Sequence, residues 1–202
     1  MATATPDISE VQVSIPVEGT DETVSANITG TGDIAVIIAY SGIEDPSTWL
    51  PLINPLSLNS KLRIVTFTYR SVEATTGYDT RAVYDFLSTQ NHINKIICVG
   101  AGLGANGCVN LQKKPGIIGM VLMAGNIFPV QAEFPKLFLT ADADPIGLAG
   151  ATEVAYEYSS DPKVFKSYPA GVHGSALFSK PDVGPQILAD ITDFINGIVN
   201  GP

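Results

Sequence analysis

Hydrophobic positions change their rhythm once along this chain, near residue 30. Before it, residues 11–17 and 23–28 alternate between apolar and polar side chains, and Glu18-Gly19-Thr20-Asp21 separates them. That pattern predicts an antiparallel hairpin with one covered face. After it, residues 34–39, 62–69, 96–99, 118–123 and 137–140 are nearly continuous apolar runs, the signature of parallel strands buried on both faces. Parallel strands need crossovers, and helical spacing supplies them. Residues 78–89 carry Ala82, Val83, Phe86 and Leu87 on one side, and residues 103–113 form a shorter segment that stops before Pro115. Residues 185–200 carry the longest stripe, from Ile187 and Leu188 through Ile191, Phe194 and Ile195 to Ile198 and Val199, with Asp190 and Asp193 off it. The expected fold is α/β: a mostly parallel, doubly wound sheet with an N-terminal antiparallel hairpin and helices on both faces.

At 202 residues the chain is expected to form a single domain over residues 1–202. With 45% apolar and 15% charged residues it can fill a core. No apolar run approaches the ~18 residues of a membrane span, and residues 1–7 carry neither a basic nor an apolar segment. A cytoplasmic protein without a membrane partner is expected. The net charge of −9 and eleven scattered Lys and Arg residues argue against nucleic acid, which needs clustered cations. Cys98 falls in a predicted strand and Cys108 in the helix after it, so reduced core thiols are expected. Two histidines and two cysteines in unmatched motifs assemble no zinc set, and no metal is expected.

The chemistry concentrates in Gly100-Ala101-Gly102-Leu103-Gly104, at the end of the run at 96–99. Its outer glycines match G-x-S-x-G, the strand-to-helix turn that presents a nucleophilic serine, but Gly102 stands at the centre. A second reading takes Gly102-Leu103-Gly104-Ala105-Asn106-Gly107 as the G-x-G-x-x-G of a dinucleotide site. That site wants an acid about 20 residues on, and no Asp or Glu occurs between Ala101 and Glu133. No NAD or NADP cofactor is therefore expected. Glycine also escapes the ~1–3 kcal/mol of backbone strain that such a turn imposes on a residue with a side chain.

Three further landmarks follow the order nucleophile, acid, histidine. Residues 36–49 place Tyr40-Ser41-Gly42 after an apolar strand. Residues 136–145 run through a strand into Asp142-Ala143-Asp144-Pro145, and Gly171-Val172-His173-Gly174 precedes the last helix. With these landmarks the chain resembles the α/β-hydrolase superfamily, in its small, lidless carboxylesterase or dienelactone-hydrolase-like form, with Gly102 in place of the nucleophilic serine. The resemblance implies Asp144 as the acid, with Asp142 as runner-up, and His173 as the base. It implies oxyanion-hole amides at Leu103 and Gly42, with Ser41 as a second candidate for the latter. In such a triad the imidazole takes the hydroxyl proton while the carboxylate holds its tautomer, and backbone N–H groups receive the oxyanion.

Only residues 127–135 stand where the family usually carries a lid. The resemblance thus implies an open mouth lined by Tyr40, Ser41, Phe128 and Phe134 and a small ester or acyl compound as the partner. Other serines near this mouth, Ser41 and Ser175, are weaker nucleophile candidates, and Cys108 is too far along its helix. A lone histidine is usually structural, but the spacing of His173 to the terminal helix and the strand bearing the acid favour a triad-type position; without His173 downstream, Asp142 and Asp144 would read as loop acids, and His92 reads as a solvated loop residue. Three functions stay open: an esterase silenced at position 102, a non-catalytic binder of a small acyl ligand, and a His–Asp enzyme that uses water.

Overall fold

A computed structural model of the chain describes residues 10–41, 45–71 and 74–201. Its strands are β1 (Glu10–Pro16), β2 (Thr23–Thr29), β3 (Ile34–Ala39), β4 (Leu62–Thr68), β5 (Lys95–Ala101), β6 (Ile117–Met123), β7 (Lys136–Ala141) and β8 (Lys163–Tyr168). They make one sheet in the order β1-β2-β4-β3-β5-β6-β7-β8. β1 pairs antiparallel with β2, and β2 antiparallel with β4. Every other pairing is parallel. The hairpin turns at Gly19, whose φ of +79° a residue without Cβ adopts at no steric cost. The central runs are buried on both faces: Val36, Ile37, Ile38, Ile97, Val99, Val121, Leu122 and Phe138 are inaccessible to solvent.

Around the sheet lie α1 (Leu50–Ser57), α2 (Thr76–Ser88), α3 (Leu103–Val109), α4 (Ala149–Glu157) and α5 (Gly184–Asn200). α2 packs on α3, and α1 on α5. The stripe foreseen in the last helix buries Ile187, Ile191 and Ile195. None of the described helices is long and apolar enough to cross a membrane.

Three elements escape a reading of hydrophobic pattern. α1 contains Pro51 and Pro55, residues that normally mark where a helix begins or stops. α4 buries only Thr152 and Ala155 and leaves Val154 exposed, so its apolar residues trace no stripe. β8 is an edge strand bearing Lys163 and Lys166, with a single buried residue, Tyr168. A sheet edge needs such charges to discourage further pairing, and they erase the apolar run that announces an inner strand. The helix expected over 103–113 ends at Val109.

The cysteines require a correction, because Cys98 and Cys108 form a disulfide with their Cα atoms 5.6 Å apart. β5 runs straight into the turn at Gly102, and α3 doubles back along it. That reversal brings residues ten positions apart face to face, a proximity that depends on the turn and is invisible to spacing alone.

Candidate active site

The turn at Gly102 is sharp. Gly102 has φ 55° and ψ −121° and stands immediately before α3, its N–H donating to the Met123 carbonyl at 2.9 Å and its carbonyl accepting from the Ala105 N–H at 3.2 Å. The flanking glycines are there for close approach. A Cβ on Gly104 would lie 1.7 Å from the Ala39 carbonyl oxygen, and one on Gly100 2.6 Å from the Gly104 carbonyl oxygen. The motif is thus a steric requirement for folding α3 tightly over β3 and β5, whatever stands at its centre.

His173 comes to this turn from the β8 edge of the sheet. It follows β8 and immediately precedes a 3-10 turn at Gly174–Ser179. Its Nδ1 is 2.8 Å from Asp144 Oδ2. Asp144 is buried at the loop after β7, and its Oδ1 accepts the Ile146 N–H at 2.8 Å, so both carboxylate oxygens are engaged. Asp142, the alternative acid, pairs instead with the Ser167 hydroxyl. A Cβ on residue 102 would stand 3.4 Å from His173 Nε2. A side-chain oxygen attached there, one bond further out, comes within hydrogen-bond reach of that nitrogen.

The same position has a second neighbour. Ser41 Cβ lies 3.1 Å from the place of a Cβ on residue 102, and Ser41 Cα 3.9 Å. Ser41 Oγ lies farther off than either, buried, with no hydrogen-bond partner among the described residues. Its hydroxyl is therefore directed away from Gly102 and shielded from solvent, which counts against it as a nucleophile. Ser175 is also buried and its hydroxyl sits 2.8 Å from Thr48 Oγ1. Cys108 is spent in the disulfide.

The remaining site residues separate into floor and rim. Tyr40, expected at the mouth, is 4% exposed and packs against Tyr69 and Phe67 with ring centroids 5.5 and 6.5 Å away. Burial pushes its phenol above the ordinary tyrosine pKa. Phe128 is 80% exposed on the segment after β6, and Phe134 is partly buried against the core. Leu103 opens α3, where a first-turn amide has no intrahelical acceptor. Gly42 lies outside the described residues. Pattern reading missed a clamp beside the site: the Thr48–Ser175 contact and a Trp49–Phe178 edge contact, centroids 5.3 Å apart, join the segment after β3 to the one after His173. No local signal could have found it, since the pairs are separated by more than half the chain.

No known family pattern and no curated protein matches the sequence. Solved structures do match. An esterase from Pyrococcus furiosus superposes with a TM-score of 0.77 at 12% identity, covering 98% of this chain and 96% of that one. A Pyrobaculum calidifontis esterase gives 0.76 at 15% identity over 95% and 85% of the two chains. A dienelactone hydrolase from Anabaena variabilis gives 0.74 at 16% over 93% and 96%. At such identities the likeness is one of architecture, and the chain has the α/β-hydrolase fold.

Proposed function

We propose that this chain is an esterase-type α/β hydrolase for small carboxylic esters in which glycine at position 102 has removed the nucleophile, leaving a site that binds an ester or acyl compound and turns it over little or not at all. The observation that carries this reading is the line from Asp144 through His173 to the empty side-chain position of Gly102, with spacings of 2.8 Å and 3.4 Å. The neighbours in the fold, named as esterases and a dienelactone hydrolase, support the reaction class. Asp144 would fix the His173 tautomer with the proton on Nδ1, leaving Nε2 as the acceptor. The Leu103 amide, with Gly42 or Ser41, would face the developing oxyanion.

The test is Gly102→Ser assayed with p-nitrophenyl acetate. Loss of a triad serine costs about 10⁶ in kcat, so the variant should exceed the parent by at least about 10³-fold, and His173→Ala in that background should abolish the gain. The contact with Ser41 Cβ obliges that residue to yield by a few tenths of an ångström, so the substitution is made with and without Ser41→Gly. A folded variant no faster than the parent in both backgrounds would overturn the esterase reading and leave a ligand-binding pocket.

A further inference from the structure

The N-terminal ends of the parallel strands β3, β4 and β5 lie at the end of the sheet opposite Gly102, and they hold a cation that the proposed active site does not use. Arg63, the second residue of β4, donates from Nη2 to the Thr31 carbonyl at 3.1 Å and meets His92 Nε2 through Nη1. Its Nε is buried with no hydrogen-bond partner among the described residues. Arg70 is paired with Asp79 and Glu22, and Arg81 with Asp85 and Glu18, but no carboxylate pairs with Arg63 among the described residues. Burial pulls this guanidinium below its ordinary pKa, the direction expected of a cation lacking a counter-ion.

Arg63 borders a cavity of about 280 Å³ whose walls include Val11, Val13, Ile28, Phe86 and Leu87. Val11 faces Ile28 across the hairpin, Val13 follows on β1, and α2 supplies Phe86 and Leu87. A larger cavity of about 640 Å³ shares Phe86, but its arginine, Arg81, already has carboxylate partners. The smaller cavity therefore combines an apolar body with one unneutralised guanidinium at its border. We propose that it is a binding site for an unbranched monocarboxylate of medium chain length, the carboxylate on Arg63 and the chain between β1, β2 and α2. One guanidinium matches one carboxylate in charge and in planar geometry. At roughly 30 Å³ per water-sized group, the cavity of about 280 Å³ takes about nine heavy atoms, close to the ten of octanoate. The site is independent of the reading of Gly102.

The chain has only two histidines, one beside each site, so the unmodified protein reports which is occupied. Titration with sodium octanoate at fixed pH should move the His92 ring NMR signals saturably and leave those of His173 in place. Octanol, which lacks the charge, should bind at least tenfold more weakly. Arg63→Met should weaken octanoate by about 10- to 100-fold, the range for losing a hydrogen bond to a charged group, and Arg63→Lys should recover part of it. Movement of His173 alone, equal affinity for octanol, unchanged affinity in Arg63→Met, or no saturation below the micellar concentration would each overturn the proposal. If Arg63→Met does not fold, the comparison of the two histidines and of octanoate with octanol still decides it.

Discussion

Removing the disulfide should loosen the site's scaffold by a predictable amount. Cys98 lies in the middle of β5 and Cys108 near the end of α3, and both side chains are inaccessible to solvent. The crosslink closes a loop with a sequence separation of ten, for which the chain-entropy relation gives about 3 kcal/mol at 25 °C. For a domain of this length each kcal/mol shifts Tm by about 2–4 °C, so Cys98→Ala/Cys108→Ala should melt roughly 6–12 °C below the parent. The effect should be felt locally as well. α3 contains two glycines, Gly104 and Gly107, whose intrinsic helix propensity is up to about 1 kcal/mol poorer than that of alanine, so α3 depends on its attachments. Hydrogen exchange of the α3 amides should accelerate beyond the global change. Calorimetry supplies the first measurement, and thiol labelling in denaturant without reductant supplies the control. Two labelled thiols per parent chain, or a Tm difference under about 2 °C, would refute the argument.

Two other sites give independent tests. Asp79 is fully buried and accepts from the Arg70 backbone N–H at 2.8 Å, from Arg70 Nε at 2.7 Å and from the Thr75 hydroxyl at 2.6 Å; Asp79→Ala strands a largely buried guanidinium and should cost about 3–5 kcal/mol in denaturant unfolding, and a loss below 1 kcal/mol would show that Glu22 alone suffices for Arg70. Tyr168 is buried and donates to Asp190 at 2.7 Å, and burial first, then that carboxylate, raises its pKa above the ordinary 10. The unfolded chain therefore ionises this phenol first, so its contribution is full below pH 10 and falls above it by at most ~1.4 kcal/mol per pH unit. Stability curves from pH 9 to 11 should be flatter for Tyr168→Phe, and parallel curves would remove Tyr168 as the cause.

The parts of the fold that pattern reveals are those where one physical demand acts on consecutive residues. Strands such as Ile34–Ala39 are buried on both faces and therefore read as uninterrupted apolar runs. α5 has one face to bury and reads as a stripe. Where two demands compete the sequence is silent: β8 must complete the sheet and also protect its edge, and Lys163 and Lys166 satisfy the second at the cost of the first signal. Lys163 shows the compromise directly, since its ammonium donates to the carbonyls of Tyr156, Glu157 and Ser159 at the end of α4. A residue that looks like solvent decoration is in fact closing the helix before its strand.

The candidate site divides along the same line. Gly100 and Gly104 are legible because a close backbone approach admits no other residue, and Asp144 and His173 because their order along the chain matches a known arrangement. What could not be read is the fit around Gly102. Glycine there looks in sequence like a simple deletion of a hydroxyl, which serine would reverse. In the structure the position is a meeting point, with Ser41 Cβ 3.1 Å away on one side and His173 Nε2 3.4 Å away on the other. The positive φ imposes about 1–3 kcal/mol of strain on any side chain, and the approach of Ser41 adds a contact tighter than ordinary van der Waals packing. Position 102 and position 41 are therefore energetically coupled, as residues in direct contact generally are. The stability loss of Gly102→Ser should shrink in the Ser41→Gly background, while the strain set by φ should remain in both. That separation distinguishes a site that has merely lost an atom from one whose surroundings have closed toward the gap.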